Sequence, residues 1–412
     1  MTDPTELARR FGTPAYIYDL SAVRSAARAL TADLPDGAGL LYSLKANPHP
    51  AIVQELAALG MGAEVSSPDE LRTALTAGHT ADQVLYTGPG KTPAEVATAL
   101  AAGVRRFSVE SPADRDRLAA ACTAAGVDAE YLVRLNAPRG SAGGSLRMAG
   151  KPTAFGVDTA DSAALTTLLR PSGRARPIGM HTFSATNIGD PDELLQEFEQ
   201  SLAVCAQAAE RADFVPQVLD LGGGFPAPSA RPGELTRHPK LADGITRALA
   251  ASFPGDDAPA LVFESGRYLT AAAGTLLTTV VDIKHSGGKT FVVVDAGINV
   301  LGGMAGLGRL LRPSVQPETA VDGPGASSGD EALPVLVGPL CTPLDVLSTA
   351  VRLPEPRIGQ ILAVPNVGAY GLTASLLGFL SRPIPTEIVT DSGMVRSARR
   401  LSLRAEEVSC DG

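Results

Sequence analysis

Short apolar segments alternate with amphipathic, Ala- and Leu-rich segments through the first two thirds of the chain. The amphipathic segments, such as PAIVQELAALG, carry apolar residues at helical spacing and end at glycine, which is typical of helices. The apolar segments predict eight strands, at residues 39–44, 62–66, 83–87, 105–109, 130–135, 177–181, 217–221 and 260–264. Eight strands alternating with helices predict an α/β fold, a (β/α)8 TIM barrel. A doubly wound open sheet is the alternative, but no GxGxxG motif follows the first strand, and we favour the barrel.

The pattern changes after about residue 266. The sequence GTLLTTVVDIKHSGGKTFVVVDAGI predicts two long strands joined at a Gly-Gly turn, and shorter β segments follow it. The segment YIYDL, at residues 16–20, predicts one more strand ahead of the barrel. We therefore expect a barrel over residues 25–265, and a β-sandwich or β-barrel-like C-terminal domain that also takes the N-terminal strand, built from residues 1–24 and 266–412.

Composition and charge exclude several classes of protein. Hydrophobic residues make up 44% of the chain, which is enough for a full core. A net charge of −9 and the absence of Trp argue against nucleic acid as a partner. Four widely spaced cysteines argue against a disulfide scaffold and a structural metal. No apolar run approaches the roughly 18 residues of a membrane span, and MTDPTELARR lacks a signal-peptide pattern, so we expect a soluble cytoplasmic protein without a membrane partner.

The C-terminal ends of the predicted strands carry the candidates for chemistry, because (β/α)8 barrels place their active sites there. These candidates are Lys45, Glu64, Arg134, His181, Gly222, Gly223, Gly224, Glu264, Gly266 and Arg267. Lys45 suits Schiff-base chemistry, since a barrel is expected to bury it and burial lowers the pKa of a lysine. A lysine at a strand end that reaches out to solvent is the alternative. The other lysines, Lys91 among them, lie at or beside predicted turns, and we expect them to be solvated.

Three further features have both a functional and a structural interpretation. The backbone of Gly222–Gly224 can approach a phosphate closely, although a tight turn explains the glycines equally well. Glu264 could pair with a protonated ring nitrogen and Arg267 with a phosphate, or the two could form a structural ion pair. Cys341 and Tyr370 are candidates as well, though such residues are more often packed in a core.

Six motifs resemble those of a known family: YSLKANPHP, GAEVSSPDEL, LDLGGGFP, ESGRYL, GPLCTPLD and GAYG. In this order they resemble the pyridoxal-phosphate decarboxylases of the alanine-racemase-like fold (fold-type III), the diaminopimelate and ornithine decarboxylase group. The match runs from about residue 11 to about residue 390. The resemblance implies a barrel followed by a β domain, pyridoxal 5'-phosphate as the cofactor, and a homodimer with active sites at the subunit interface.

The resemblance also implies a role for individual residues. Lys45 would carry the cofactor, Glu264 would keep its ring nitrogen protonated, and Cys341, supplied by the partner subunit, would return a proton after CO2 leaves. The residues implied to surround the cofactor are Lys45, Glu64, Arg134, His181, Phe183, Thr186, Gly222, Gly223, Gly224, Glu264, Gly266, Arg267 and Tyr370. The residues implied to lie at the substrate are Arg312, Thr342 and Asp345. Glu64 stands where the family usually has Asp.

Several positions depart from the pattern of diaminopimelate decarboxylases. HTFSATN replaces an HxHxGSQ-like motif, so that Phe183 stands where a histidine is expected to stack on the cofactor, and Thr186 stands where serine is usual. A phenyl ring can cover the cofactor but cannot donate a proton. Thr342 replaces an acidic residue directly after Cys341, which would leave the distal amine of a substrate without a counter-charge. Burial of an unpaired charge costs several kcal/mol. A glycine-rich insertion before Arg312 fits either an open channel or a longer loop.

These departures resemble the branch of the family that acts on aminoacyl groups tethered to carrier proteins. We therefore expect a pyridoxal-phosphate-dependent L-amino-acid decarboxylase of glutamyl, aspartyl or methylaspartyl groups on an acyl or peptidyl carrier protein, in secondary metabolism such as antibiotic biosynthesis. A decarboxylase of a free amino acid such as diaminopimelate, a racemase and a catalytically silent homologue are the alternatives. Four arginines near the C-terminus form a candidate docking patch, although a solvated face is the more usual explanation: Arg396, Arg399, Arg400 and Arg404.

Overall fold

The computed structural model describes residues 3–136, 146–147, 153–183, 185–302, 314–319, 333–353 and 355–408. The helices are α1 (Pro4–Phe11), α2 (Leu20–Asp33), α3 (Pro50–Ala58), α4 (Pro68–Thr76), α5 (Pro93–Ala101), α6 (Pro112–Ala125), α7 (Ser162–Leu168), α8 (Pro191–Ala212), α9 (Leu241–Ser252), α10 (Arg267–Thr270) and α11 (Ile298–Leu301). None of the helices in these ranges has the length and apolar character needed to cross a membrane.

The strands of the same ranges are β1 (Ala15–Asp19), β2 (Gly39–Ser43), β3 (Gly62–Val65), β4 (Val84–Tyr86), β5 (Arg106–Val109), β6 (Ala129–Asn136), β7 (Leu146–Arg147), β8 (Val157–Asp158), β9 (Ala175–Thr182), β10 (Ala185–Thr186), β11 (Val218–Asp220), β12 (Ala260–Ser265), β13 (Gly274–Ser286), β14 (Lys289–Val294), β15 (Glu318–Thr319), β16 (Val335–Val337), β17 (Val346–Ser348), β18 (Ile361–Val364), β19 (Thr386–Asp391) and β20 (Met394–Arg400). Short 3-10 turns lie at Leu44–Ala46, Ala81–Gln83, Ala271–Ala273, Leu372–Ala374 and Phe379–Ser381.

Several helices that follow a barrel strand begin in the same way. Ser67, Thr92 and Ser111 cap α4, α5 and α6, and each hydroxyl accepts a hydrogen bond from the backbone N–H three residues on, at 3.2 Å. A proline follows each cap at the first helical position, where its missing N–H has no consequence. Local sequence therefore fixes where these helices start, and with it the length of the turn after each strand.

Eight parallel strands form a closed barrel in the order β2, β3, β4, β5, β6, β9, β11 and β12. β12 pairs with β2, with Glu264 opposite Leu41, and this pairing closes the ring. Each strand overlaps one of the eight predicted from the sequence, and the barrel prediction is confirmed. Because the first and last strands pair, the open-sheet alternative is wrong.

Residues 23–227 and 235–270 form one compact unit, which we call the barrel unit, and residues 1–22, 228–234 and 271–412 form the other, the β unit. In the β unit the strand order is β17, β16, β14, β13, β1, β19 and β20, with β18 also beside β13. β1 pairs antiparallel with β13 and parallel with β19, so the N-terminal strand joins the C-terminal strands as predicted.

The predicted hairpin is present in the β unit. β13 and β14 pair with Ser286 opposite Lys289, and the two residues between them are Gly287 and Gly288. Their φ angles are +56° and +73°. Two consecutive residues with positive φ form the turn that matches the twist of a two-stranded hairpin, and glycine adopts it without steric cost.

Candidate active site

Lys45 lies in the 3-10 turn directly after β2, at the C-terminal end of the barrel. Its Nζ donates to both carboxylate oxygens of Glu64, at 3.1 and 2.9 Å. The lysine side chain is 46% exposed, whereas that of Glu64 is 2% exposed. Our expectation that the barrel buries Lys45 is therefore wrong, because the residue lies past the last residue of the strand and outside the packed interior. The amine is held by a buried carboxylate.

Glu64 is held in place by more than the lysine. The hydroxyl of Thr87 donates to Glu64 Oε1 at 2.5 Å, and that of Ser66 donates at 3.3 Å. Burial raises the pKa of Glu64, but the ammonium of Lys45 and the hydroxyl of Thr87 outweigh burial and hold this pKa below its usual range. Glu64 is thus an anion near neutral pH, and it orients the amine of Lys45.

Glu264 and His181 face each other inside the barrel. Glu264 is buried, and its Oε1 has no hydrogen-bond partner among the described residues. That oxygen lies 3.6 Å from His181 Nε2, while His181 Nδ1 shares a hydrogen bond of 2.9 Å with the hydroxyl of Ser108. Burial raises the pKa of Glu264 well above its usual range, and the carboxyl groups of Asp220 and Glu64 raise it further. Burial lowers the pKa of His181 well below its usual range, so the imidazole is neutral.

Of the three glycines after β11, Gly222 and Gly223 have no room for a side chain. A Cβ on Gly222 would lie 2.5 Å from the carbonyl oxygen of Thr182, and one on Gly223 would lie 2.4 Å from that of Glu264. Gly222 also has φ of +67°, which favours glycine. The ring of Phe183 packs on this loop, since the same Cβ on Gly222 would lie 2.7 Å from Phe183 Cδ2. The loop therefore presents bare backbone beside Phe183, as an anion-binding turn requires.

Thr186 lies on the short strand β10.

Gly266 and Arg267 follow β12 directly. A Cβ on Gly266 would lie 2.6 Å from Cβ of Ala46, so this glycine allows the end of β12 to pack against the turn that carries Lys45. Arg267 begins α10 next to it. The close approach brings the residues after β12 to the mouth of the barrel beside Lys45.

Arg134 is buried at the end of β6 in an arrangement that the sequence did not reveal. Its guanidinium donates to Glu110 Oε1 at 3.2 Å and lies over the ring of Phe155, 5.0 Å from the centroid. Glu110 Oε2 accepts the backbone N–H of Gly156 at 2.9 Å. Glu110 thus fixes both the arginine and the segment that precedes β8. In the sequence, the only signal for this role of Glu110 is that an acidic residue directly follows β5.

Lys91 differs from its expected solvated position. It is buried and forms an ion pair of 2.8 Å with Asp114, whose side chain is buried as well. Its Nζ also donates to the carbonyl oxygens of Gly88 and Ser108, at 2.6 and 2.8 Å. The sequence shows a lysine among turn residues, but the partner that buries it lies in α6, one βα repeat later. The expectation that Lys91 is solvated is wrong.

Cys341 lies exposed in a turn of the β unit, and Asp345 closes that turn. Asp345 Oδ2 accepts the backbone N–H of Leu340 at 2.7 Å, and Oδ1 accepts that of Ile298 at 2.8 Å. Burial raises the pKa of Asp345. A substrate-binding role for Asp345 stays a prediction, and the two backbone contacts favour a role in holding the Cys341 turn.

Thr342 and Tyr370 also belong to the β unit. The hydroxyl of Thr342 accepts the backbone N–H of Leu344 at 3.3 Å. Tyr370 has φ of +53° and lies between Ala369 and Gly371. Arg312 and most of the glycine-rich insertion before it lie outside the described residues.

The comparison with protein families decides the class of the protein. The model named "Pyridoxal-dependent decarboxylase, pyridoxal binding domain" matches residues 20–271, which span most of the barrel unit. The chain belongs to the pyridoxal-dependent decarboxylases. It is therefore a carboxy-lyase with pyridoxal 5'-phosphate as its cofactor, and the predicted family, reaction class and cofactor are confirmed.

Three relatives illustrate the similarity of this decarboxylase to known proteins. The L-glutamyl-[BtrI acyl-carrier protein] decarboxylase of Niallia circulans is 29% identical over 402 residues, covering 96% of this chain and 93% of that protein. A diaminopimelate decarboxylase of Pseudomonas fluorescens is 30% identical over 409 residues, covering 97% and 93%. The crystal structure of Helicobacter pylori diaminopimelate decarboxylase complexed with L-lysine has a TM-score of 0.81 at 25% identity, covering 96% and 95%. Identity at this level does not select a substrate.

The residues of the barrel unit fit a pyridoxal cofactor. In the loop Gly222–Gly224, the first two glycines have no room for a Cβ, and the bare backbone can approach a phosphate closely. Glu264 places a buried carboxylate oxygen without a partner among the described residues inside the same barrel, where a ring nitrogen can pair with it. Lys45 supplies a primary amine at the end of β2. The structure thus brings together, at the ends of neighbouring strands, the three groups that such a cofactor needs.

Proposed function

We propose that this decarboxylase removes the α-carboxylate of an acidic aminoacyl group, of glutamyl, aspartyl or methylaspartyl type, that a carrier protein holds as a thioester. The observation that carries the proposal is Thr342, which follows Cys341 directly where relatives that bind a distal amine have an acidic residue. The hydroxyl of Thr342 bonds within its own turn and carries no charge. Similarity to the carrier-protein glutamyl decarboxylase over 96% of the chain supports the same substrate class.

The proposed reaction uses the residues at the end of the barrel. Bound there, pyridoxal phosphate supplies an electron-accepting ring that allows the carboxylate to leave as CO2. Lys45 would hold the cofactor through its amine, which Glu64 orients through the ion pair of 2.9 Å. Glu264 would pair with the ring nitrogen, and the backbone of Gly222–Gly224 would bind the phosphate. Phe183, which packs on the glycine loop, would lie against the ring.

We further propose a homodimer in which Cys341 of one subunit serves the active site of the other. Cys341 is exposed in the β unit, as a residue must be if it is to reach a neighbouring subunit. Asp345 holds the turn that presents it. A thiol at the tip of a fixed turn can return a proton to the substrate carbon after CO2 leaves.

The uncharged side chain of Thr342 favours acidic substrates over substrates that carry a distal ammonium. A free diaminopimelate or ornithine carries a distal ammonium, which needs a carboxylate partner when buried. Thr342 provides no carboxylate for a distal ammonium. A substrate with an acidic side chain does not need one. The proposal therefore depends on a missing counter-charge at a single position.

The C-terminal arginines do not strengthen the proposal. Arg396 pairs with Asp391 at 3.3 Å and Arg399 with the buried Glu387 at 2.8 Å, both within the β unit. Arg400 donates to the hydroxyl of Thr386 at 2.9 Å. Internal carboxylates thus neutralise half of the predicted patch, and we place no carrier-protein contact there.

The test measures CO2 release and product mass. Free glutamate, aspartate, 3-methylaspartate and diaminopimelate are compared with the three acidic groups loaded on a carrier protein. We expect the carrier-loaded acidic groups to react at least about 100-fold faster in kcat/KM than any free amino acid, a difference of about 3 kcal/mol. Rapid turnover of free diaminopimelate would contradict the proposed function.

A further inference from the structure

Asp220 lies at the end of β11 in the barrel interior and has no role in the site described so far. It is fully buried, and on the neighbouring strand β9 the residue opposite it is His181. One of its oxygens, Oδ1, accepts the backbone N–H of Gly222 at 2.8 Å. The other, Oδ2, has no hydrogen-bond partner among the described residues.

Asp220, His181 and Glu264 form a buried cluster. One nitrogen or oxygen of each lies within 4.8 Å of those of the other two. Each residue also contributes a buried atom without a partner in the described part of the chain: Oδ2, Nε2 and Oε1 respectively. Three buried polar atoms without partners in one place are rare in folded proteins, and each costs free energy unless a proton or ligand joins it to a neighbour.

Among the described residues, each cation that acts on Asp220 already pairs with another carboxylate. His181 on β9 and Glu264 on β12 are its neighbours in the cluster, and Glu64, Arg134 and Lys45 act on it from farther away. Arg134 pairs with Glu110, and Lys45 pairs with Glu64. Two carboxylates in the cluster therefore share no cation of their own, so that both cannot be ionised without strong repulsion.

The other side of Asp220 is apolar. Asp220 lines a cavity of about 350 Å³ whose walls include Leu85, Leu132 and Ile178, which form an apolar cluster of the barrel interior. The charged residues that line this cavity besides Asp220 are Asp82 and Arg106. Arg106 is directed to Glu130, 3.8 Å away. Among the described residues that line this cavity, the cation Arg106 therefore has its own carboxylate partner and is not available to Asp220 alone.

We propose that Asp220 is a positioning residue of the cofactor site: the buried cluster retains one proton, and Asp220 keeps it when a ring nitrogen pairs with Glu264, so that Glu264 alone carries the negative charge there. The inference rests on the proposed role of Glu264. A proton on Asp220 Oδ2 gives this oxygen a donor, which can be shared with Glu264 Oε1 or His181 Nε2. Burial raises the pKa of Asp220 to about 7 and that of Glu264 well above its usual range, so the pair retains a proton near neutral pH. A positive ring nitrogen beside Glu264 favours the ionised form of Glu264 and leaves the proton on Asp220.

Asp220→Asn separates this role from a purely structural one. Asn keeps an oxygen that can accept the N–H of Gly222 and adds an NH2 donor in place of the acid, but it cannot ionise. Asp220→Ala removes both functions. Asp33→Asn is the matched control, because Asp33 is a buried carboxylate of the barrel unit that pairs with Arg237 and lies outside the cluster.

The first measurement is the unfolding equilibrium of the full-length apoenzyme between pH 5 and pH 8. Asp220 is protonated in the folded state up to about pH 7 but ionised in the unfolded state above about pH 4, so its contribution to stability is lost as the pH rises. Between pH 5 and 7 we expect Asp220→Asn to gain about tenfold or more in the folding constant relative to the wild type, with no further gain above pH 7. A flat difference over the whole range would overturn the proposal.

Two further measurements keep the proposal falsifiable if a variant fails to fold. The infrared spectrum of the wild-type holoenzyme near pH 6 should contain the C=O stretch of a protonated buried carboxylic acid, and Asp220→Asn should lack it. Absence of the band from the wild type, or its persistence in Asp220→Asn, overturns the proposal. The dissociation constant of pyridoxal phosphate should stay within about threefold of the wild type in Asp220→Asn and Asp33→Asn but rise about tenfold or more in Asp220→Ala. Equal affinity of the two Asp220 variants would also overturn it.

Glu264→Gln separates failure of this inference from failure of the proposed function. If Glu264→Gln leaves cofactor affinity and turnover unchanged, the assignment of Glu264 to the ring nitrogen fails. The pH dependence of Asp220→Asn is measured without the cofactor and is unaffected by that result.

Discussion

The side chain of Lys45 is half exposed, and the carboxylate that holds its amine, Glu64, is buried. The ion pair of 2.9 Å joins the turn after β2 to the strand beside it. Since Thr87 also donates to Glu64, the carboxylate cannot turn away without losing two partners. The lysine is thus kept accessible to an aldehyde and fixed in direction at the same time.

Lys45→Ala should abolish covalent attachment of the cofactor. The visible absorbance of enzyme-bound pyridoxal phosphate should disappear and turnover should fall at least about 1000-fold, because no other described lysine lies at the end of a barrel strand beside Glu64. Lys284→Ala is the control, since Lys284 is an exposed lysine of the β unit that pairs with Asp282. A cofactor band that persists in Lys45→Ala would refute the assignment.

Glu64→Gln should lower both stability and cofactor binding. The amide cannot neutralise the ammonium of Lys45, and we expect a loss of about 1 kcal/mol in the free energy of unfolding, the low end for a charged hydrogen bond because the lysine is half exposed. The pKa of Glu64 is lowered in the folded state, so its stabilisation is present above the unfolded pKa near 4.3 and is lost as the pH falls through the folded pKa.

Denaturant unfolding of wild type and Glu64→Gln at a series of pH values between 7 and 3 tests this prediction. The gap between the two proteins should close at the acidic end. A gap that widens with acid would show that the carboxylate is protonated in the folded protein at neutral pH.

Gly222→Ala should lower the free energy of unfolding by more than the left-handed backbone angle alone predicts. The left-handed φ costs about 1 to 2 kcal/mol for a residue with a Cβ, and the approach of 2.5 Å to the carbonyl of Thr182 adds about 1 to 3 kcal/mol. Gly288→Ala is a matched control, because Gly288 has φ of +73° but open space around it. The measurements are the free energy of unfolding and the cofactor dissociation constant; equal losses in the two variants would argue against a packed glycine loop.

Thr342→Asp should shift substrate preference. The new carboxylate supplies a counter-charge for a distal ammonium and repels an acidic side chain, so we expect kcat/KM to rise about tenfold or more on free diaminopimelate and to fall by a similar factor on the carrier-loaded acidic groups. Thr349→Asp places the same charge on an exposed threonine elsewhere in the β unit. If both variants behave alike, net charge and not position explains the effect.

Most of the fold could be predicted from the sequence because it depends on local patterns. Apolar runs such as GLLYSL locate barrel strands, and Ser or Thr followed by proline locates the helices after them. The Gly287-Gly288 turn fixes the hairpin for the same local reason.

The polar contacts of the site were harder to predict, because they join residues that are distant in sequence. Lys91 is buried by Asp114, and Arg134 is held by Glu110, across separate βα repeats. No local pattern distinguishes such a lysine from a solvated one. Asp220 was overlooked because it precedes a glycine loop that already explained the motif, and its lack of a second partner is visible only in three dimensions.

The pairing of β1 with β13 and β19 also bears on how the protein is made. Ala15 lies beside Leu277 on one side and Thr386 on the other, so the first partner strand, β13, is synthesised long after β1, and the second, β19, later still. Contacts over such a distance in sequence form slowly. Each edge of β1 therefore stays unpaired until its own partner strand has been synthesised, and a truncation that removes β19 would leave one edge of β1 open to aggregation.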